Sequence, residues 1–340
     1  MRHKTVNKKF PFSMLLFVLA IATFIASWAR LFPASFVERA YSRAVFPTIS
    51  HMLASAADAV PFSWLDAFIL GGIVLLLYGF RKRRWRFLGG VVSVFYLWFF
   101  WTWGLNYHRP LLADRMHLET NGFTNSTLKE FAATAAGEIN RLWPLASQAP
   151  LDRAQIGDIA ARRVERVVLK IDGTDGRAPK RVKRSFFLER WFKMAGVDGM
   201  FNPFGHEPLV IAGPYPFELP FLMSHELAHV RGIANEGEAN LVALLATVAS
   251  DDPHFQYSGW LSLWNYLPRF ADIKLDDGPR ADLRASAQRY KDNEVAMVNE
   301  VQSAILDAHL KANAVPAGLR SYSEFVDFAV ASHPRWQEFR

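Results

Sequence analysis

His225-Glu226-Leu227-Ala228-His229, followed by Glu236-Gly237-Glu238-Ala239-Asn240, is the stretch that decides how this chain is read. Two histidines four residues apart on a helix project about 40° from each other, so their rings share a face and can chelate one tetrahedral zinc ion. Glu226 directly follows the first ligand, where its carboxylate can reach a water on the same ion. With 10 His among 340 residues, an HExxH arises by chance in such a chain on the order of one time in a hundred, so its surroundings matter. Pro220 and Ser224 stand where a metal helix over 221–231 should start. Gly232 follows, and glycine lets a helix stop and the chain turn back. An Ala- and Leu-rich helix is expected over 236–249. The competing reading is an amphipathic helix with two surface histidines and an ion-paired Glu226.

A third protein ligand must come from downstream. Glu236 and Glu238 lie about 200° apart on a helix and cannot face the same ion. Glu236 has Asn240 one turn later on its own face, where a polar group can orient a ligating carboxylate. Glu236 is therefore the expected ligand and Asn240 its support. Glu238 is kept in reserve, with a solvated or helix-capping charge as its alternative role. No cysteine exists to supply a thiolate or a disulfide.

Residues 224–240 resemble the zincin superfamily in its glutamate-ligand, gluzincin-like branch, where HExxH is completed by a Glu with an Asp or Asn four residues later. Gly232 also sits at the glycine of the metzincin pattern HExxHxxGxxH, but Asn235 stands where that pattern has its third histidine. A wider resemblance covers most of the chain and is to an uncharacterised family of bacterial membrane proteins. It is carried by Trp103-Gly104-Leu105-Asn106-Tyr107, Asn202-Pro203-Phe204, the HELAH–EGEAN block, Tyr257-Ser258 and Ser321-Tyr322. That resemblance implies a membrane-anchored metallopeptidase and names no substrate.

The N-terminal third sets the expected location. Residues 12–29 and 87–107 carry no charge, and 67–80 reaches spanning length if extended back across Asp66. Three transmembrane helices are expected, at about 12–30, 61–80 and 87–107, with Trp98, Trp101 and Trp103 at an outer interface. Arg2, Lys4, Lys8 and Lys9 precede the first, and Arg81-Lys82-Arg83-Arg84-Trp85-Arg86 separates the second from the third. The positive-inside bias places both in the cytoplasm, so the C-terminal region faces outward from a bacterial cytoplasmic membrane. A cleavable signal peptide is the alternative for the first segment. Prolines 208, 214, 216 and 220 interrupt the approach to His225, so an aqueous or interfacial site is expected rather than one inside the bilayer.

Residues 1–108 thus read as an anchor and 109–340 as a zincin-like domain, α+β and mostly helical. Helices are expected over 126–143, 260–270, 280–313 and 322–331, with 162–171 either helix or strand. The apolar run 209–212 reads as a strand, and by resemblance as the edge of a substrate cleft. The net charge of +7 owes much to the juxtamembrane loop and is not a nucleic-acid footprint. Lys180-Arg181-Val182-Lys183-Arg184 reads as a solvated loop or strand edge, or a contact for anionic lipid. The expected activity is a Zn2+-dependent peptidase acting on a peptide or protein, with Glu226 as general base. Tyr257 and His254 are the candidate oxyanion donors, and Arg231 reads as a helix-end charge. Hydrolysis of a cell-wall amide, or a non-catalytic structural zinc site, are the alternatives.

Overall fold

Apolar residues at helical spacing dominate the chain, and the structure is correspondingly mostly helical; it is a computed structural model describing residues 12–120, 122–149, 151–176, 178–179, 181–313, 315, 318 and 324–340. The segment opens with α1 (Phe12–Trp28), a short α2 (Ala34–Phe36), a π-helix at Val37–Val45 and α3 (Phe46–Ala59). Next, α4 (Trp64–Arg81) and α5 (Trp85–Thr102) form a hairpin with the basic run 81–86 at its tip. Ser63 caps α4 by accepting from the Leu65 N–H at 3.1 Å. α1 lies along α5 in the same direction, with Ser13 against Gly90 near one end and Ser27 Oγ 3.0 Å from His108 Nε2 at the other.

By length and composition α4 can cross a membrane, and α1 is a shorter apolar helix. Leu70, Val74 and Leu77 of α4 and most apolar side chains of α1 are exposed. The expected third span is corrected. Its helix ends at Thr102, and Gly104–His108 forms a 3-10 turn whose Gly104, Leu105, Asn106 and His108 are buried. These residues lack charge because they pack inside protein: Trp103 Nε1 donates to the His229 carbonyl at 2.8 Å. α5 also begins at Trp85 and so takes in Arg86, which lowers its apolar character. The expected second span starts at Trp64 rather than 61, where Ser63 caps it. Arg2, Lys4, Lys8 and Lys9 lie outside the described residues.

The remainder comprises α6 (Leu112–Met116), α7 (Asn125–Ala146), α8 (Arg153–Asp172), α9 (Glu189–Ala195), a hairpin of β1 (Gly199–Asn202) and β2 (Glu207–Val210), then α10 (Leu219–Val230) and α11 (Glu236–Val248). It closes with α12 (Pro253–Trp264), α13 (Asp277–Asn293), α14 (Ala296–Ala312), α15 (Glu324–Ser332) and a 3-10 turn at His333–Phe339. α11 is the central helix, buried from Gly237 through Val248 and packed by α8, α10, α12 and α15. From Leu241 to Val248 its sequence is apolar on every side but for Thr247, as a helix enclosed all round requires. The ambiguous 162–171 segment is helix, started by a reciprocal Asp152–Gln155 capping box. The helix expected over 280–313 is two helices, and the one expected from 260 starts at Pro253, capped by Asp252. The helix expected over 126–143 is α7, which starts one residue earlier and is capped by Thr124. Tyr322 lies outside the described residues.

Two local readings change. β2 is not a free cleft edge. It pairs antiparallel with β1 on one side and bridges to Lys183 on the other, so both its rows of backbone groups are used. Within the basic run, Lys183 is buried and its Nζ lies 3.0 Å from Glu207 Oε2, so it serves the interior rather than solvent. Lys180 lies outside the described residues.

Buried charges tie the N-terminal third to the rest. Arg109 reaches Glu38 at 2.8 Å and Asp172 at 2.9 Å, and Arg115 also pairs with Asp172. A boundary at 108/109 therefore falls inside a packed, ion-paired junction. Burial alone would raise the Asp172 carboxyl, but Arg109 and Arg115 outweigh it and hold the group below its usual value. A depressed folded pKa contributes stability above the unfolded value near 3.9 and loses it as pH falls through the folded value. Removing one member of such a pair costs about 3–5 kcal/mol. Thermal unfolding of detergent-solubilised Asp172→Asn should show a Tm well below wild type at pH 7, with the gap closing below about pH 4.

Candidate metal centre

α10 carries His225 and His229 one turn apart, and the helix must stop quickly for a third group to reach them. Gly232 provides the stop, at φ 80°, a left-handed conformation that an added Cβ would strain. That Cβ would also meet Phe46 Cε1 at 2.7 Å and the Asn106 side chain at 3.2 Å. Asn235 then caps α11, accepting from the Glu238 N–H at 3.2 Å, so Glu236 is the first residue of the new helix. Ser224 is not a cap: α10 begins at Leu219, and the Ser224 hydroxyl donates to the Pro220 carbonyl at 2.7 Å within the helix.

The outcome is a tight triangle. His225 Nε2 and His229 Nε2 are 3.1 Å apart, and Glu236 Oε2 is 3.2 Å from the first and 3.3 Å from the second. Tetrahedral zinc bound at its usual distances spaces nitrogen and oxygen ligands roughly 3.3 Å apart. The donor chemistry agrees with the spacing. His229 Nδ1 lies 2.7 Å from the Ile233 carbonyl, which can only accept, so the ring proton is on Nδ1. Once Nε2 gives up its own proton, the ring offers a lone pair there, as metal-ligating histidines do. These three residues fit a divalent cation.

Electrostatics around the triangle are strong. Burial alone would lower His229, but the facing Glu236 carboxylate outweighs it and pushes the ring up to about 9. Burial would raise Glu236, yet His229 and His225 hold it far below the ordinary carboxylate range. Burial pushes the Glu226 carboxyl up to about 8. Glu226 is 4% exposed and stands outside the triangle. Strand β1 backs directly onto it: a Cβ at Gly199 would lie 2.5 Å from Glu226 Oε1.

Other expected residues fall into place differently. Asn240 lies against His225 and the Tyr266 hydroxyl. Glu238 is not near the triangle; its Oε1 accepts from the Leu112 N–H at 2.5 Å and its Oε2 is 4.0 Å from Arg115. Tyr257 donates to Asp282 at 2.6 Å, and His254 Nδ1 lies 2.9 Å from Asp252 in the α12 cap. Neither lines the cavity that opens on the triangle. Arg231 is buried and donates to the Thr174 carbonyl at 3.3 Å rather than marking an exposed helix end.

That cavity encloses about 1270 Å³ and is lined near the triangle by Tyr107, Tyr266, His309 and Phe201. Phe201 stacks on His229 with 6.4 Å between ring centroids, and Tyr107 Oη is 3.3 Å from His309 Nε2. Burial, and then the Glu236 charge, raises the Tyr107 phenol, which keeps it a donor. Tyr107 sits at the end of an uncharged run that reads as membrane segment, which hid it. Tyr266 and His309 have no motif of their own and are brought in only by tertiary packing.

The two glutamates give a discriminating test. In equilibrium zinc-competition titrations, Glu236→Ala should weaken binding at least as much as the roughly 10–100-fold lost with an outer-shell partner. Glu238→Ala should bind zinc as wild type does while its Tm falls.

No curated protein and no solved structure matches the chain. From the π-helix through the hairpin helices, the whole histidine–glutamate triangle and most of α15, residues 41–330 match the family described as "Protein of unknown function (DUF3810)", and the chain belongs to that family.

Proposed function

We propose that the protein is a membrane-anchored, zinc-dependent peptidase of the bacterial cytoplasmic membrane whose site faces outward. The observation that carries this reading is the 3.1–3.3 Å triangle of His225, His229 and Glu236 with a separate buried carboxyl, Glu226, beside it. Zinc held there supplies Lewis acidity toward the scissile carbonyl and lowers the pKa of its water. Glu226 accepts a proton from the attacking water and returns it to the leaving amine nitrogen. Tyr107 and Tyr266, both neutral phenols on the cavity wall, donate toward the developing oxyanion. This role passes to them from Tyr257 and His254, which face elsewhere. β1 lines the cavity, and among the described residues its other edge has no strand partner. It offers an extended peptide a row of backbone groups. A purely structural zinc centre would need neither the free carboxyl nor the cavity.

α1 and α4 form the anchor, with α5 packed against both. Ser13 lies beside Gly90, so the start of α1 and the basic hairpin tip are at the same end, away from the triangle. The positive-inside bias then sets that end in the cytoplasm and the triangle outside.

Full-length protein in detergent, assayed for zinc by elemental analysis and for cleavage of a peptide library, tests the reading. Wild type, Glu226→Gln and Gly199→Ala should each hold about one zinc per chain. Glu226→Gln should lose about 10²–10⁴-fold in turnover. Gly199→Ala should lose about 100-fold, because the added methyl displaces Glu226 without touching a ligand. Equal turnover by Glu226→Gln and wild type rejects hydrolysis, and absence of zinc from all three rejects the metal reading.

A further inference from the structure

The cavity does not end at the polar cluster. It continues as a crevice between α4 and α5, past Phe68, Ile69, Gly72 and Leu76 on one helix and Val92 and Phe95 on the other. From Leu65 to Leu76 is eleven residue steps, roughly 16 Å at the α-helical rise. That matches one leaflet of bilayer hydrocarbon, about half of a 30 Å core. Ile73, Leu76 and Val92 are exposed along it, so it opens sideways. Gly72 stands at its wall with nothing within 4 Å of an added Cβ.

The two helices touch at both ends of the opening. Phe68 and Phe95 meet edge-on with centroids 6.4 Å apart, and Tyr78 meets Phe87 at 5.7 Å. At Gly79 an added Cβ would lie 2.3 Å from Leu88 Cδ2. Contacts at both ends with an open wall between them make a slot along the helix pair, a shape that suits a single unbranched hydrocarbon chain lying lengthwise.

The opposite end of the cavity is polar, lined by Asp198, Glu218 and Ser286. Where α4 leaves the domain, the Asp66 carboxylate accepts from the backbone N–H groups of Phe186 and Phe187 at 2.7 and 3.3 Å. Phe186 is 84% exposed. On α14, which also lines the cavity, Met297, Val301 and Ile305 form an exposed apolar stripe at four-residue spacing. Exposed apolar surface of this kind marks contact with a membrane or another protein, and the proposed membrane anchoring puts the mouth of the cavity level with the bilayer.

We infer that the substrate is an acylated peptide whose hydrocarbon chain lies in the α4–α5 crevice while its amide reaches the His225–His229–Glu236 cluster. This inference rests on the hydrolytic reading of that cluster. Binding the chain at a distance positions the peptide for reaction, so chain and head are recognised by one continuous cavity.

The test uses full-length protein in nanodiscs and one peptide sequence with and without an N-terminal palmitoyl chain. Wild type should cleave the palmitoylated form with a kcat/KM at least about tenfold higher, since many methylenes are buried. Gly72→Trp, which projects into the crevice from a position with open space around it, should lower cleavage of the palmitoylated form at least about tenfold and so erase that preference. Equal cleavage of both forms by wild type, or an unchanged preference in Gly72→Trp, overturns the inference. So does faster cleavage of a transmembrane helical peptide than of the acylated one. A second arm needs no turnover: a diazirine-bearing palmitoyl peptide is photolysed with Glu226→Gln. Its label should map to residues 69–76 and 91–95 and be displaced by unlabelled acylated peptide. Label placed elsewhere, or displaced equally by bulk phospholipid, overturns the inference. If no peptide is cleaved by wild type while the label still maps to the crevice, the hydrolytic reading has failed and chain binding stands.

Discussion

Two imidazole nitrogens and a carboxylate oxygen cannot be held about 3 Å apart in a buried site unless positive charge lies among them. This constraint organises the protein. When no metal supplies the charge a proton must, and the structure shows that demand in His229, pushed up to about 9 by Glu236. A divalent cation meets the same demand with the geometry the three groups already have. Much of the surrounding fold serves to make that triangle rigid. Trp103 holds the end of α10 through the His229 carbonyl, Phe201 stacks on its ring, and Ile233 fixes its tautomer.

The turn between the ligand helices shows how local and distant sequence cooperate. Gly232 supplies a backbone conformation that side chains resist, and Asn235 starts the next helix at Glu236. Phe46 and Asn106, far away in sequence, press on Gly232 from the N-terminal third. The N-terminal third is thus part of the scaffold of the site. Arg109, between Glu38 and Asp172, extends that union through buried charge.

How far the sequence could be read follows from these physical causes. The shared face of His225 and His229, the glycine stop, and the opposite directions of Glu236 and Glu238 were legible because helical periodicity decides which side chains share a face. The mostly helical class was legible for the same reason. The end of α5 was not: an uncharged run looks alike whether lipid or protein surrounds it, and Gly104–His108 turned out to be protein interior. β1 was missed because four residues with little β-branching carry no strand signal, although its Gly199 touches Glu226. Tyr257 and His254 sit near the motif in sequence but are taken by Asp282 and Asp252. Tyr107, Tyr266 and His309, scattered along the chain, are brought to the cavity by packing.

One cavity has the triangle in its wall, carboxylates at one end and a crevice between apolar helices at the other, and the proposed function joins chemistry to membrane through that single space. Its central premise is the cation itself. Zinc K-edge X-ray absorption on the full-length protein purified without added metal tests that premise most directly. The account predicts a first shell containing two imidazole nitrogens and a carboxylate oxygen at about 2.0–2.2 Å, with one imidazole lost in His229→Ala. A first shell with no imidazole, or a spectrum unchanged by that substitution, contradicts it.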